Sequence, residues 1–217
     1  MRQHDPYTGH VLRRLEAQGL ELVRDPVTDW LEYINQTVTH NARRDLRLGW
    51  KYGDWGRVAR KAGGLSTSVV KGWYMSRVGQ RIREPFHEVL EGRHVLPGPM
   101  EMLRTLEDRH ECHRSIEGES PLSTGIAYHV LHGLTKPGAD CRVAGIFHVG
   151  PFTCMQESVA TAKIEAMVKE VRRQHPDLVL PIIHAFFGDS PNPNLDCEIA
   201  VFAEQCYQKR DLVQSPA

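Results

Sequence analysis

Cys154 carries the clearest chemical reading in this sequence. It stands in Gly150-Pro151-Phe152-Thr153-Cys154-Met155-Gln156-Glu157, between an apolar run that ends at Val149 and an amphipathic run that begins at Gln156. A strand feeding a helix through such a turn places the thiol at the helix N-terminus. There the helix dipole and the free N–H groups favour a thiolate, which serves as a metal ligand or a nucleophile. A buried, inert cysteine in a tight turn is the competing reading, and spacing alone does not separate the two. A nucleophile also needs a base. His148 and His184, at or near the ends of two apolar runs, are the candidates for one.

A second cluster, Asp108-Arg109-His110-Glu111-Cys112-His113, puts His110 and His113 on one helical face. No CxxC or HxxxH partner follows it, so a solvated helix end is the expectation. The five cysteines (Cys112, Cys141, Cys154, Cys197, Cys206) are odd in number and include no CxxC pair. That pattern fits reduced thiols better than a disulfide framework. Cys197 and Cys206, nine positions apart in the last helix, are expected to be packing residues.

The elements that must position these side chains are clearest in the second half. Val143–Val149 and Leu178–Phe187 read as apolar strands, the first buried on both faces and the second with Pro181 at an early or edge position. Helices are predicted at 123–133, at 156–174 with Val159, Ile164, Met167, Val168 and Val171 as the inner stripe, and after the loop at 188–194, where Ile199, Val201, Phe202 and Tyr207 follow. Connections this long exclude hairpins and imply parallel strands with right-handed crossovers. Ligands then collect beyond the carboxyl ends of the strands, where Cys154 lies. The fold class is α/β: a partial doubly wound (Rossmann/flavodoxin-like) parallel sheet with a helical insert.

Upstream, residues 11–19 predict a helix closed by Gly19, Leu20–Arg24 a short strand ended by Pro26, and Asp29 onward a second helix. Because an α/β domain normally opens on a strand, residues 1–37 are read as the remnant of a preceding α/β unit. Residues 38–112 form the helical insert, interrupted at Gly49, Gly53, Gly56, Gly63-Gly64, Gly72 and Gly79. A helix over 100–113 ends that insert, and 113–217 is the C-terminal α/β domain.

The chain has 217 residues with 27 basic and 27 acidic side chains, enough length to bury a core without disulfide or metal staples. Its neutrality is uneven: residues 41–94 hold twelve Lys/Arg against five Asp/Glu and three of the four tryptophans, Trp50, Trp55 and Trp73. Basic residues among aromatics can form a nucleic-acid surface. No nucleic-acid motif accompanies them, so the expectation is a solvated helical insert whose aromatics pack on the body of the protein. No apolar run approaches the roughly 18 residues of a membrane span, and the N-terminus lacks a secretory core. The chain is therefore expected in the cytoplasm.

The run Gly150-Pro151-Phe152-Thr153-Cys154-Met155 resembles the P-F-x-C-M-P motif of the 2-hydroxyacyl-CoA dehydratase and CoA-substrate-specific activase family. The likeness is closest to the dehydratase-like region of that group's large activase-related proteins. His113 to Gly125 is similar to the family's H-x-x-x-x-G-E-x-x-L-x-x-G passage, Gly138-Ala139-Asp140-Cys141 to its G-A-D-G turn, and Leu180-Pro181 through Phe186 to its second strand. Glu198 to Gln205 resembles the closing E-A-F-type helix. Asp5-Pro6-Tyr7, Leu15-Glu16-Ala17-Gln18-Gly19 and Asp29-Trp30-Leu31-Glu32-Tyr33 follow its N-terminal landmarks. Departures are Gln156 for the proline after C-M, Phe187 for an acidic residue, and Cys141 for a glycine.

The resemblance implies an iron–sulfur protein of anaerobic metabolism, in which an ATP-driven activase delivers low-potential electrons for reduction or dehydration of acyl-CoA thioesters. It makes Cys154 a ligand of a cubane-type cluster. The other ligands would come from another chain or a missing N-terminal segment, since a cubane takes three or four thiolates. No ATP-binding glycine loop is present in this chain. The implied partner is the other subunit or N-terminal part of that system, with acyl-CoA as the candidate substrate and no activity expected of this chain alone. A non-enzymatic scaffold or remnant without a cluster is the alternative.

Overall fold

The computed structural model describes residues 8–24, 27–86, 88, 97–113, 116–135, 143–178 and 180–214. The turn at Lys136–Asp140, Cys141, Pro26 and the Asp5-Pro6-Tyr7 landmark lie outside the described residues. The chain is mixed α/β, mostly helical, and divides into two compact units: Met1–Arg24 with Thr105–Ala217, and Asp25–Arg104. No helix among the described residues is long and apolar enough to cross a membrane.

The first unit holds a two-stranded parallel sheet, β1 (Ile146–Pro151) and β2 (Ile182–Phe187). Their register pairs Ile146 with Ile182 and His148 with His184. The alternation of side chains along both strands builds two cores. Ile146 and Ile182 pack with Leu106, Leu131, Ile164, Val168 and Val171 on one face. Phe147, Val149, Ile183, Ala185 and Phe187 pack with Val11, Leu15, Ile199 and Phe202 on the other. Burial of each such side chain is worth about 1.5–3 kcal/mol. The first core brings in α5 (Ser120–Thr135) and α6 (Met155–Gln174), and the second brings in α1 (Val11–Ala17) and α7 (Leu195–Gln214). A salt bridge of 2.7 Å between Arg14 and Asp196 also joins α1 to α7.

Several expectations change in this unit. Leu20–Arg24 is extended but unpaired as a strand; a strand exists only through its ladder, and here Leu20 and Leu22 instead pack against the second core. β1 is only partly buried, because a sheet of two strands leaves an open edge on each. Val159 is exposed, and Glu157 and Ala160 take the inner positions of α6 with Ile164, Met167, Val168 and Val171. Pro181 precedes β2, where its carbonyl accepts from the Ile146 N–H at 2.9 Å.

The second unit contains α2 (Val27–Tyr52) and α3 (Trp55–Arg83), followed by a short 3-10 turn at Glu84–Phe86. These are two long helices where glycine-broken segments were expected. Glycine inside a helix costs only about 1 kcal/mol against alanine, and Gly49, Gly63, Gly64, Gly72 and Gly79 are carried within the helices. Gly53 alone acts as a breaker, at φ +70, and the Asp54 carboxylate then accepts the Arg57 N–H at 2.9 Å to cap α3. Asn35 donates to the Ser68 carbonyl across the hairpin at 2.9 Å, and a Cβ at Gly72 would sit 2.9 Å from that same amide. Trp50, Trp55 and Trp73 are exposed rather than packed, Trp50 meeting Trp55 edge to face with centroids 5.1 Å apart. Helix α4 (Pro99–Asp108) ends five residues before the predicted His113, as His110 takes φ 59.

Candidate functional site

The turn after β1 places Cys154 as the N-cap residue of α6, half-buried, with extended backbone and no side-chain cap bond. This is the position the sequence predicted. Phe152 and Met155 flank it, each 74% exposed, so two large apolar side chains rim the thiol on the solvent side. Behind it, the buried Ser120 hydroxyl donates to the Gln156 carbonyl at 2.7 Å and lies 2.5 Å from that residue's side-chain amide oxygen. Gln156 therefore ties the start of α6 to the start of α5. Gly118, at φ +103, permits the approach: a Cβ there would stand 2.6 Å from the Gln156 side chain.

The other thiols divide by environment. Cys112 and Cys206 are buried in the first and second cores, and burial pushes the Cys206 thiol up to about 11. Burial likewise raises Cys112. Cys197 is exposed in the first turn of α7, not packed as expected. Parallel strands run to the same end, so the turn after β1 with Cys154 and the helix after β2 with Cys197 both follow the carboxyl edge of the sheet. His110 and His113 lie past the end of α4, both exposed, and share no helical face.

The two strand histidines do not serve Cys154. His148 and His184 are register partners, so both rings project to the α6 side of the sheet. His148 Nε2 lies 2.6 Å from Glu157 Oε2, the two Nδ1 atoms lie 2.9 Å apart, and His184 Nε2 lies 3.1 Å from Glu165 Oε1. All four ring nitrogens are thus engaged, which removes the Cys/His pair. Ser123 adds a hydroxyl 3.4 Å from Glu157 Oε2. Gly150 makes the geometry possible, because a Cβ there would meet Glu157 Cγ at 2.9 Å.

This Glu157–His148–His184–Glu165 chain is the feature that sequence reasoning missed. Its signal was present: Glu157 belongs to the same apolar stripe as Ala160, Ile164, Val168 and Val171, and a carboxylate on an inward stripe requires a polar partner. Burial and the neighbouring His148 hold His184 below the ordinary histidine value of 6.5, with Glu165 acting in the opposite direction.

A cubane cluster takes three or four thiolates. The described residues offer two thiols at the carboxyl end of the sheet, and among them no group of three or more His, Cys, Asp or Glu is arranged to hold a metal ion. They fit a partial ligand set and not a whole one. Comparison with protein-family models, with curated proteins and with solved structures finds no match.

Proposed function

We propose that this chain is an α/β component of a 2-hydroxyacyl-CoA dehydratase-like, activase-related iron–sulfur system, with Cys154 supplying one ligand to a cubane-type cluster. The observation that carries the reading is the place of Cys154: an uncapped helix N-terminus at the carboxyl end of a parallel strand, behind an exposed Phe152/Met155 rim. Such an N-terminus favours a thiolate, and the rim suits a site completed by a second surface. The ordered motif matches around Cys154 and along the chain support the family.

In this reading the remaining thiolates and further strands of a doubly wound sheet come from another chain or an N-terminal segment. Both strands keep an edge without a ladder partner among the described residues, consistent with such an extension. A bound cluster supplies low-potential electrons for acyl-CoA reduction or dehydration; this chain's part is to hold one corner and to shape the surface around it.

The second reading is a scaffold or remnant that keeps the fold without a cluster, favoured by the incomplete thiol set. Iron and acid-labile sulfide analysis of the chain isolated anaerobically from its own cells decides between them. Iron present in wild type and lost in Cys154→Ser supports the ligand role. Equal iron in both removes Cys154 as a ligand, and iron-free protein in both favours the scaffold.

A further inference from the structure

Four side chains of the first unit form an unbroken line from solvent to the interior. Glu165 is 45% exposed, His184 14%, His148 6% and Glu157 0% at the side chain. Glu157 and Glu165 are eight residues apart on α6, a rise of about 12 Å, and the two imidazoles on neighbouring strands span that interval.

The proton count of this line follows from its geometry. It has three links: Glu157 to His148, His148 to His184, and His184 to Glu165. Carboxylates only accept, and each imidazole nitrogen either donates or accepts. Three links therefore take three protons, shared by two imidazoles, which leaves one imidazolium between two carboxylates. A fourth proton would set N–H against N–H at the 2.9 Å contact between the two Nδ1 atoms. The imidazolium charge belongs on His148. Its partner Glu157 is fully buried and needs a counter-charge, and their 2.6 Å separation is the shortest of the three links. Glu165 is solvated and does not need one.

We propose that Glu157, His148, His184 and Glu165 form a buried acid–base site, a proton relay that exchanges one proton between the His148 imidazolium and water through Glu165. The release step balances. The Nδ1 proton of His148 passes to the lone pair of His184 Nδ1, leaving its bonding electrons on His148. The Nε2 proton of His184 passes to Glu165 and on to water. Both imidazoles end neutral, and the site has lost one proton and one positive charge; uptake is the reverse. The groups facing the line are Glu157 and Glu165 from α6, the two histidines from the strands, and the Ser123 hydroxyl from α5. The opposite face of the sheet carries the second apolar core. The site does not depend on a cluster at Cys154.

Nitrogen-15 NMR of the histidine rings in the whole chain at neutral pH tests it, since proton occupancy at each ring nitrogen is read directly. The expected result is His148 protonated at both ring nitrogens and His184 at Nε2 only. Glu157→Gln should then remove one of the two protonated-nitrogen signals of His148. Glu165→Gln should leave the occupancies in place and slow exchange of the His148 ring protons with water. Either a singly protonated His148 in wild type or an exchange rate indifferent to Glu165→Gln overturns the proposal. Retention of the wild-type fold by circular dichroism in both variants keeps the comparison valid, and Glu165→Asp should restore the exchange.

Discussion

Glu157 Oε2 and His148 Nε2 lie 2.6 Å apart with both side chains withdrawn from solvent, which makes them the most tightly coupled polar pair in the sheet region. Removing one partner strands the other's charge in the core, a loss of about 3–5 kcal/mol, whereas replacing both with apolar groups is close to neutral. His148→Leu should therefore lower the urea midpoint severely, and His148→Leu/Glu157→Leu should recover a large part of the loss. Additive losses in the double variant would show that the pair is not coupled.

Acidification should weaken the fold through His184. Its folded value lies below the ordinary 6.5 because burial and His148 disfavour the charged ring. The unfolded chain therefore binds more protons in the window between the two values, so the contribution is present above 6.5 and lost as pH falls through the folded value. Urea midpoints measured from neutral pH downward should fall more steeply in wild type than in His184→Gln, which does not titrate. Parallel curves would count against a depressed His184.

Gly150→Ala should disturb the same site from the backbone side. The new methyl carbon would stand 2.9 Å from Glu157 Cγ and 3.3 Å from the Phe186 ring, and Glu157 is held in place by His148. Overpacking of this kind costs about 1–3 kcal/mol. Thermal unfolding of the variant should show that loss, and an unchanged midpoint would mean that Glu157 moves freely.

The helical hairpin offers a contrast among glycines. A Cβ at Gly63 or Gly64 meets nothing within 4 Å inside α3, so alanine at either position should stabilise the hairpin by up to about 1 kcal/mol. Gly53 is equally open, yet its φ of +70 makes alanine unfavourable there by about 1–2 kcal/mol. Helix melting followed by far-ultraviolet circular dichroism should give opposite signs for the two substitutions.

That contrast also marks how far the sequence could be read. Both parallel strands, the helix from Met155 to Gln174 and the N-cap place of Cys154 were legible, because each rests on local periodicity and turn chemistry. The six glycine interruptions between 49 and 79 read as breaks, but helix continuity is decided by the partner helix, and only Gly53 adopts a left-handed backbone. Leu20–Arg24 alternates like a strand and lacks the ladder that would make it one. His148 and His184 were visible as strand residues. Their union depends on a register that pairs residues 36 positions apart and on a glutamate one turn into the following helix, relations that no local window contains.

The functional reading rests on Cys154, and low-temperature electron paramagnetic resonance of the anaerobically isolated, dithionite-reduced protein tests it most directly. Wild type is predicted to show the signal of a reduced cubane cluster, and Cys154→Ser to lose or shift it while the chain keeps its helical content. An identical signal in wild type and Cys154→Ser would contradict the assignment.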